Sequence, residues 1–136
     1  MTSVVVDTNI LFAALQKKHS TIRRLLERPD IRYYTPYFLV TEIFKHKERI
    51  ISMSKLPAHE TYELLTSLLQ HISFVNESII STGDMITAYR LCKDIDEKDT
   101  PFVALAFSLE ASLWTRDETL KQELQRKGFT NFFVEK

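Results

Sequence analysis

The chain has 136 residues, 44% of them hydrophobic and 26% charged, and its 18 basic and 18 acidic residues cancel in formal charge. These values are typical of one globular domain spanning residues 1–136, and they argue against a protein that binds nucleic acid through bulk positive charge. No apolar stretch is long enough for a membrane span, no leader pattern opens the chain, and the single cysteine, Cys92, excludes an internal disulfide, so we expect a cytoplasmic protein without a membrane partner.

Apolar runs of strand length alternate with helical patterns along the chain. The first run, 3–6, is rich in valine on both faces, which is typical of a central strand covered on both sides. Strands are predicted at 3–6, 31–34, 72–75, 111–115 and 131–134. This alternation predicts βα units and therefore an α/β fold with a parallel sheet.

Helices are predicted between these strands, at 9–16, 21–27, 36–54, 57–70, 79–92, 101–110 and 118–127. Thr35-Pro36 and Thr100-Pro101 each match a cap residue followed by proline at the first helical position. Gly128 fits a C-cap after the last helix.

Aspartates directly follow two of the predicted strands. Asp7 ends the first strand, and Asp117 follows the strand at 111–115. Either aspartate could cap the helix that comes next. Alternatively, both could belong to a ligand site, because open α/β sheets bind ligands outside the carboxyl ends of their strands.

Two further groups of acids stand at helix positions. Glu42 lies among apolar residues at helical spacing, so it is either a paired or metal-bound inward carboxylate or an edge residue that reaches water. Four acids crowd into six residues before the helix at 101–110, namely Asp94, Asp96, Glu97 and Asp99. The helix dipole favours acids there, but four exceed what capping needs.

Together these segments resemble the PIN-domain nucleases. "VVVDTNILFAAL" is similar to the first motif of that family, an Asp-Thr-Asn after a hydrophobic strand, and "PYFLVTEIFK" is similar to the second, a glutamate inside a helix. "DEKDTPFVALAFSLEASLWTRDETL" is similar to the third and fourth, an acid before an Ala/Leu-rich helix and then a strand ending in Thr-x-Asp. The resemblance covers nearly the whole chain, and the length matches stand-alone members, including VapC-like toxins.

The resemblance implies a three-layer α/β/α sandwich around a parallel sheet of about five strands, and a ribonuclease site that depends on Mg²⁺ or Mn²⁺. The implied residues are the catalytic and metal-binding acids Asp7, Glu42, Asp99 and Asp117, a second candidate ligand Asp96 in the third motif, and the supporting polar residues Asn9 and Thr115.

Gathered carboxylates resist ionising together, and a divalent cation relieves that repulsion. Hard oxygen ligands suit Mg²⁺ or Mn²⁺, and one or two such ions would activate a water for in-line hydrolysis of a phosphodiester. The four histidines show no pairing at ligand spacing, which argues against zinc.

Cations near the motifs are candidate phosphate contacts. Arg116 stands where small or polar residues are common in the family, and it could hold phosphate or pair with an acid. Lys45 and Lys47 follow Glu42 and could touch phosphates or lie on a solvated helix face. A second basic cluster spans residues 16–24.

Three functions are compatible with these residues. The first is a metal-dependent ribonuclease, with RNA as substrate; the family resemblance adds a possible antitoxin protein and a homodimer as partners. The second is a PIN-like scaffold that binds RNA or protein without turnover. The third, an aspartyl phosphatase, is disfavoured, because that chemistry usually needs a second acid at the position that Asn9 occupies.

Overall fold

The computed structural model describes residues 1–16 and 20–136 of the chain. Its strands are β1 (Thr2–Val6), β2 (Ile31–Pro36), β3 (Ile72–Val75) and β4 (Ser112–Trp114). They pair in parallel in the order β3-β2-β1-β4. In β1 the side chains of Val4, Val5 and Val6 are fully buried, as expected for a strand with neighbours on both sides and helices on both faces.

Helices of the described residues connect and flank these strands. They are α1 (Thr8–Ala14), α2 (Ser20–Leu26), α3 (Phe38–Lys45), α4 (Lys47–Ser54), α5 (Ala58–Leu69), α6 (Thr82–Cys92), α7 (Thr100–Leu109) and α8 (Glu118–Arg126), with short 3₁₀ helices at Glu77–Ile79 and Glu97–Asp99. No helix of the described residues is long and apolar enough to cross a membrane.

The strand order fixes how the layers are arranged. From β1 to β3 the chain moves steadily towards one edge of the sheet, and it then returns to place β4 on the other side of β1. Because parallel crossovers are right-handed, α1–α5 cover one face, and α6 and α7 cover the opposite face. Helix α7, in which Phe102 to Ala106 are all buried, packs on β1, β2 and β4. The predicted α/β class with helices on a parallel sheet is confirmed.

The strand predicted at 131–134 is reduced to one parallel bridge between Leu113 and Phe132, so the sheet has four strands rather than about five. Phe133 N–H donates to Leu113 O, and Leu113 N–H donates to Asn131 O, at 2.9 Å each. β4 is three residues long and pairs along its whole length with β1, whereas the segment on its other side contributes a single bridge.

The prediction that a helix begins at Pro36 is wrong. Pro36 is the last residue of β2, paired with Val75, and α3 begins two residues later at Phe38. Proline is tolerated there because the final strand position needs no ladder donor. The hydroxyl of Thr35, expected to cap a helix, instead donates to Val6 O at 3.0 Å and joins β2 to the end of β1.

The prediction of one helix over 36–54 is also wrong, since the chain bends at His46 between α3 and α4. No proline or glycine marks the break in the sequence. The prediction for Gly128 is confirmed, because this residue has a φ of 99°, which glycine adopts without strain, just beyond α8.

Candidate active site

The site lies at the carboxyl edge of the sheet, between the ends of β1 and β4. Asp7 follows β1, and its N–H donates to Trp114 O at 3.0 Å, which continues the β1–β4 pairing up to the site. The chain reverses its direction across the sheet between these two strands. Such reversal points open a crevice in α/β sheets, and ligands bind there.

Asp7 accepts three hydrogen bonds in a nearly closed environment, because the residue is only 5% exposed. Its Oδ1 accepts from Thr8 N–H at 2.7 Å, while its Oδ2 accepts from the Thr115 hydroxyl at 2.8 Å and from Asn9 Nδ2 at 3.0 Å. Asp7 therefore caps α1 with one oxygen and joins the network of Thr115 and Asn9 with the other.

Asn9 and Thr115 tie the ends of β1 and β4 together. Asn9 Nδ2 also donates to Thr115 Oγ1 at 3.0 Å, and Asn9 Oδ1 accepts from the backbone N–H of Arg116 at 3.0 Å. Thr115 Oγ1 further accepts from Asp117 N–H at 3.1 Å. Both side chains thus contact Asp7 and each other at the place where a supporting role would require them.

Asp117 is the N-cap of α8, and its Oδ1 accepts from Leu120 N–H at 3.0 Å. The capping interpretation of Asp117 is therefore correct, yet the residue also stands beside Thr115 and raises the pKa of both Asp7 and Asp99. One carboxylate oxygen caps the helix, so Oδ2 remains for a ligand.

Asp99 takes the N-cap position of α7 without a side-chain capping bond. Burial, together with the negative charges of Asp7, Asp96, Asp117 and Glu42, raises the pKa of Asp99 to about 8. The charges that act on this carboxyl group within residues 1–16 and 20–136 are all those of other acids, which is the electrostatic signature of a cation site.

Burial also raises the pKa of Asp7, to about 6, although the hydrogen bonds from Thr115 and Thr8 oppose that rise. The charges of Asp117 and Glu42 add to it. The four acids that the motifs single out are therefore close enough to influence one another electrostatically.

Glu42 enters the site from α3, and its side chain is only 14% exposed. Its Oε2 lies 3.7 Å from Nε2 of His46, one helical turn later. The ring of His46 in turn meets the edge of Phe12 on α1, with centroids 5.8 Å apart. These contacts hold α3 against α1 and direct Glu42 to the acidic cluster.

Asp96, the second candidate of the third motif, is exposed and caps the 3₁₀ helix Glu97–Asp99, with its Oδ1 accepting from Lys98 N–H at 3.1 Å. It still raises the pKa of Asp99 through its charge. Asp96 thus lies at the margin of the cluster, whereas Asp99 lies within it.

The residues suit a divalent cation by their chemistry. Every candidate ligand is a carboxylate, the hard oxygen donor that Mg²⁺ and Mn²⁺ prefer. Among the described residues, no three His, Cys, Asp or Glu side chains converge closely enough to form a protein cage around a metal. Mg²⁺ does not need such a cage, because it usually retains several waters and binds through one or two carboxylates.

The cations near the site differ in their partners. The guanidinium of Arg116 pairs with Glu135, its Nη2 lying 2.7 Å from Oε1. Lys45 and Lys47 are exposed, and neither has an ion-pair partner within the described ranges. Residues 17–19 of the other basic cluster lie outside the described residues.

Two acids that shape the site were not singled out in the sequence. Glu77 Oε2 accepts from Phe38 N–H at 2.8 Å and thereby caps α3, which carries Glu42. Glu135 pairs with Arg116 beside Thr115 and Asp117. Both acids are remote in sequence from the motifs, so only the fold brings them to this edge.

A protein-family model described as "PIN domain" matches residues 5–127. The chain belongs to the PIN-domain family. The resemblance predicted from its motifs is therefore confirmed. No curated protein is significantly similar to this PIN domain in sequence.

Solved structures share its fold. One is the structure of VapBC2 from Rickettsia felis bound to a DNA fragment from the VapBC2 promoter. A chain of it aligns with a TM-score of 0.67 at 17% sequence identity, and the alignment covers 89% of this chain and 92% of that chain. A chain of a toxin–antitoxin complex from Klebsiella pneumoniae aligns with a TM-score of 0.63 at 17% sequence identity, and the alignment covers 98% of both chains. VapBC-1 from nontypeable Haemophilus influenzae gives 0.61 at 16% identity, with 92% and 94% covered.

Proposed function

We propose that this PIN domain is a Mg²⁺- or Mn²⁺-dependent endoribonuclease that hydrolyses RNA phosphodiester bonds. The observation that carries the proposal is the placement of Asp7 and Asp99, two largely buried acids with raised pKa values, beside Glu42 and Asp117 at the reversal point of the sheet. Buried acids without a cation are costly, and the cost is relieved when a divalent ion binds.

Asp7 and Asp99 are the residues that would bind the ion directly, and Glu42 and Asp117 would complete its surroundings directly or through water. Bound there, Mg²⁺ or Mn²⁺ supplies an activated water and offsets the charge that builds up on the phosphate. Asn9 and Thr115 fix the orientation of the Asp7 carboxylate through their bonds to Oδ2. Lys45 and Lys47 remain available for the RNA backbone.

We further propose that the chain acts in the cytoplasm as the toxin of a toxin–antitoxin pair. The solved structures that share this fold, two of VapBC proteins and one of a toxin–antitoxin complex, support this role. An apolar cavity of about 220 Å³ between α3, α4 and α5, beside a Phe44 that is 71% exposed, supports a protein partner. By the same resemblance we propose a homodimer, which the mass of the purified chain in solution tests.

The decisive experiment is cleavage of a mixed, structured RNA in Mn²⁺, in Mg²⁺ and in EDTA. Wild type is compared with Asp7→Asn and Asp99→Asn, and with Asp30→Asn as a matched control. Asp30 pairs with Arg28 just before β2, at the amino edge of the sheet and away from the acids. All four proteins are purified identically.

Metal-dependent cutting by wild type and Asp30→Asn that is lost in the other two variants supports the nuclease and the site together. Equal cutting by all four proteins identifies a contaminating nuclease. If none of them cuts while wild type still binds Mn²⁺ at the acids, the inert scaffold replaces the nuclease as the better account.

A further inference from the structure

The segment 131–135 runs parallel to β4 and reaches the same edge of the sheet as the acids. Its backbone bonds to Leu113 give it the direction of a short neighbouring strand. The ring of Phe133 packs on the ring of Trp114, with centroids 5.0 Å apart. These contacts carry Glu135 to the carboxyl end of β4, where residues 115–117 begin.

Three hydrogen bonds converge on the carboxylate of Glu135. Its Oε1 accepts from Nη2 of Arg116 at 2.7 Å, and its Oε2 accepts from Nε of Arg116 and from Nε1 of Trp114, at 3.0 Å each. A guanidinium that donates to both oxygens of a carboxylate has one preferred geometry. The pair therefore fixes the orientation of the Arg116 side chain in addition to its electrostatic attraction.

Arg116 is held from two sides as a result. Glu135 holds the guanidinium, and Asn9 Oδ1 accepts from the backbone N–H at 3.0 Å. The residues on either side of Arg116 are Thr115, which donates to Asp7, and Asp117, whose charge acts on Asp7 and Asp99. Glu135 raises the pKa of Arg116, mainly through its hydrogen bonds to the guanidinium and to a smaller extent through its negative charge.

We propose that Glu135 is a positioning residue of this site: by holding Arg116, it keeps Thr115 and Asp117 in the geometry that binds the metal. The segment lies beyond residues 5–127, the part of the chain that matches the family model. The proposal deepens the proposed nuclease function and rests on it. It also assigns Arg116 to the support of the site rather than to the substrate phosphate.

The test compares Glu135→Ala, Glu135→Gln, Arg116→Ala and the double variant Glu135→Ala/Arg116→Ala. The matched control is Asp30→Ala, because Asp30 and Arg28 form the same two-oxygen fork, with Nε at 3.0 Å and Nη2 at 2.5 Å, away from the acids. The readouts are backbone hydrogen exchange by NMR, Mn²⁺ binding by calorimetry, and kcat and KM for RNA.

For Glu135→Ala we expect the Arg116 and Asp117 amides to exchange about tenfold faster, while the amides of β1 match the Asp30→Ala control. Mn²⁺ affinity and kcat should each fall about tenfold, the lower end of the range for residues that support metal ligands, with KM for RNA unchanged. Glu135→Gln, which retains one acceptor oxygen, should recover part of the loss. The double variant should lose no more Mn²⁺ affinity or kcat than either single variant, because both substitutions remove the same Glu135–Arg116 pair.

Two outcomes overturn the proposal. In the first, Glu135→Ala and Asp30→Ala give the same amide exchange and the same Mn²⁺ affinity. In the second, Arg116→Ala raises KM while leaving kcat and Mn²⁺ affinity intact, which would place Arg116 on the substrate. If wild type cuts no RNA, the nuclease proposal fails separately, and amide exchange with Mn²⁺ binding still decides the role of Glu135.

Discussion

Thr115 donates its hydroxyl proton to Oδ2 of Asp7 at 2.8 Å, across 108 positions of the chain. This bond joins the ends of β1 and β4 and is the largest influence that opposes the burial-driven rise in the pKa of Asp7. It therefore favours the ionised carboxylate, the form that binds a metal ion. The Thr-x-Asp motif thus contributes a threonine that sets the charge state of the first-motif aspartate.

Replacing Thr115 by valine should weaken metal binding more than it weakens the fold. Valine keeps the shape but removes the donor to Asp7 and the acceptor of Asn9 and Asp117 N–H. A hydrogen bond to a charged group contributes about 1.5–3 kcal/mol, so Mn²⁺ affinity should fall by about 10- to 100-fold. Calorimetric titration with Mn²⁺ measures this, and Thr115→Ser is the control that keeps the hydroxyl. Equal loss in both variants would contradict the prediction.

The metal-free protein should lose stability as pH rises from about 4 to about 8. The folded pKa values of Asp7 and Asp99, about 6 and about 8, lie above the ordinary value of 3.8. The folded state therefore keeps protons that the unfolded chain has released, and its stability is greatest below the unfolded pKa and declines through the folded pKa values. Each pKa unit corresponds to about 1.4 kcal/mol. Urea unfolding in EDTA across this pH range measures the decline.

The Asp99→Asn variant provides the control for that pH dependence. Asp99 makes no side-chain capping bond, so its amide analogue loses the titration without losing a cap. We expect Asp99→Asn to be more stable than wild type at pH 8 in EDTA and to depend less on pH. In Mn²⁺ the order should reverse, because the ion stabilises only the protein that retains the ionised acid. If the stability of wild type in EDTA rose with pH, the predicted direction of this pH dependence would be wrong.

The sequence predicted the parts of this molecule that depend on local patterns. The valines of β1, the apolar helix α7 and the strand–aspartate pairs all carry periodicities or caps that physical rules describe. What could not be predicted depends on distant partners. Thr35-Pro36 has the pattern of a helix start, yet the hydroxyl of Thr35 donates to Val6 O, and Pro36 pairs with Val75 in the sheet. Similarly, Glu135 reaches Arg116 only because the segment 131–135 runs beside β4.

The single cysteine should be inert in the native protein. Cys92 is fully buried on α6, and burial raises the pKa of its thiol to about 12, so almost no thiolate forms at neutral pH. A disulfide reagent such as DTNB at pH 8 should therefore react only as the chain unfolds, in step with a urea titration. Cys92→Ala should cut RNA within about twofold of wild type. Rapid labelling of the native protein would contradict the burial on which this prediction rests.

Lys45 and Lys47 should affect the binding of RNA and leave its hydrolysis unchanged. Both are exposed without an acidic partner in the described part of the chain, and they follow Glu42 on α3 and at the start of α4. If each contacts one phosphate, Lys45→Gln and Lys47→Gln should each raise KM several-fold at constant kcat. Each should also reduce the slope of log KM against log salt by about 0.7, the value for one contact to a single strand.

The control for these lysines is Arg90→Gln, which removes an exposed positive charge from α6 on the opposite face of the sheet. The salt slope counts the residues that contact phosphates, and Arg90 lies far from the proposed RNA site. Arg90→Gln should therefore leave the slope of log KM against log salt unchanged. The same slope in all three variants would mean that the lysines contribute only through total charge, and the interpretation of a solvated helix face would then stand for both.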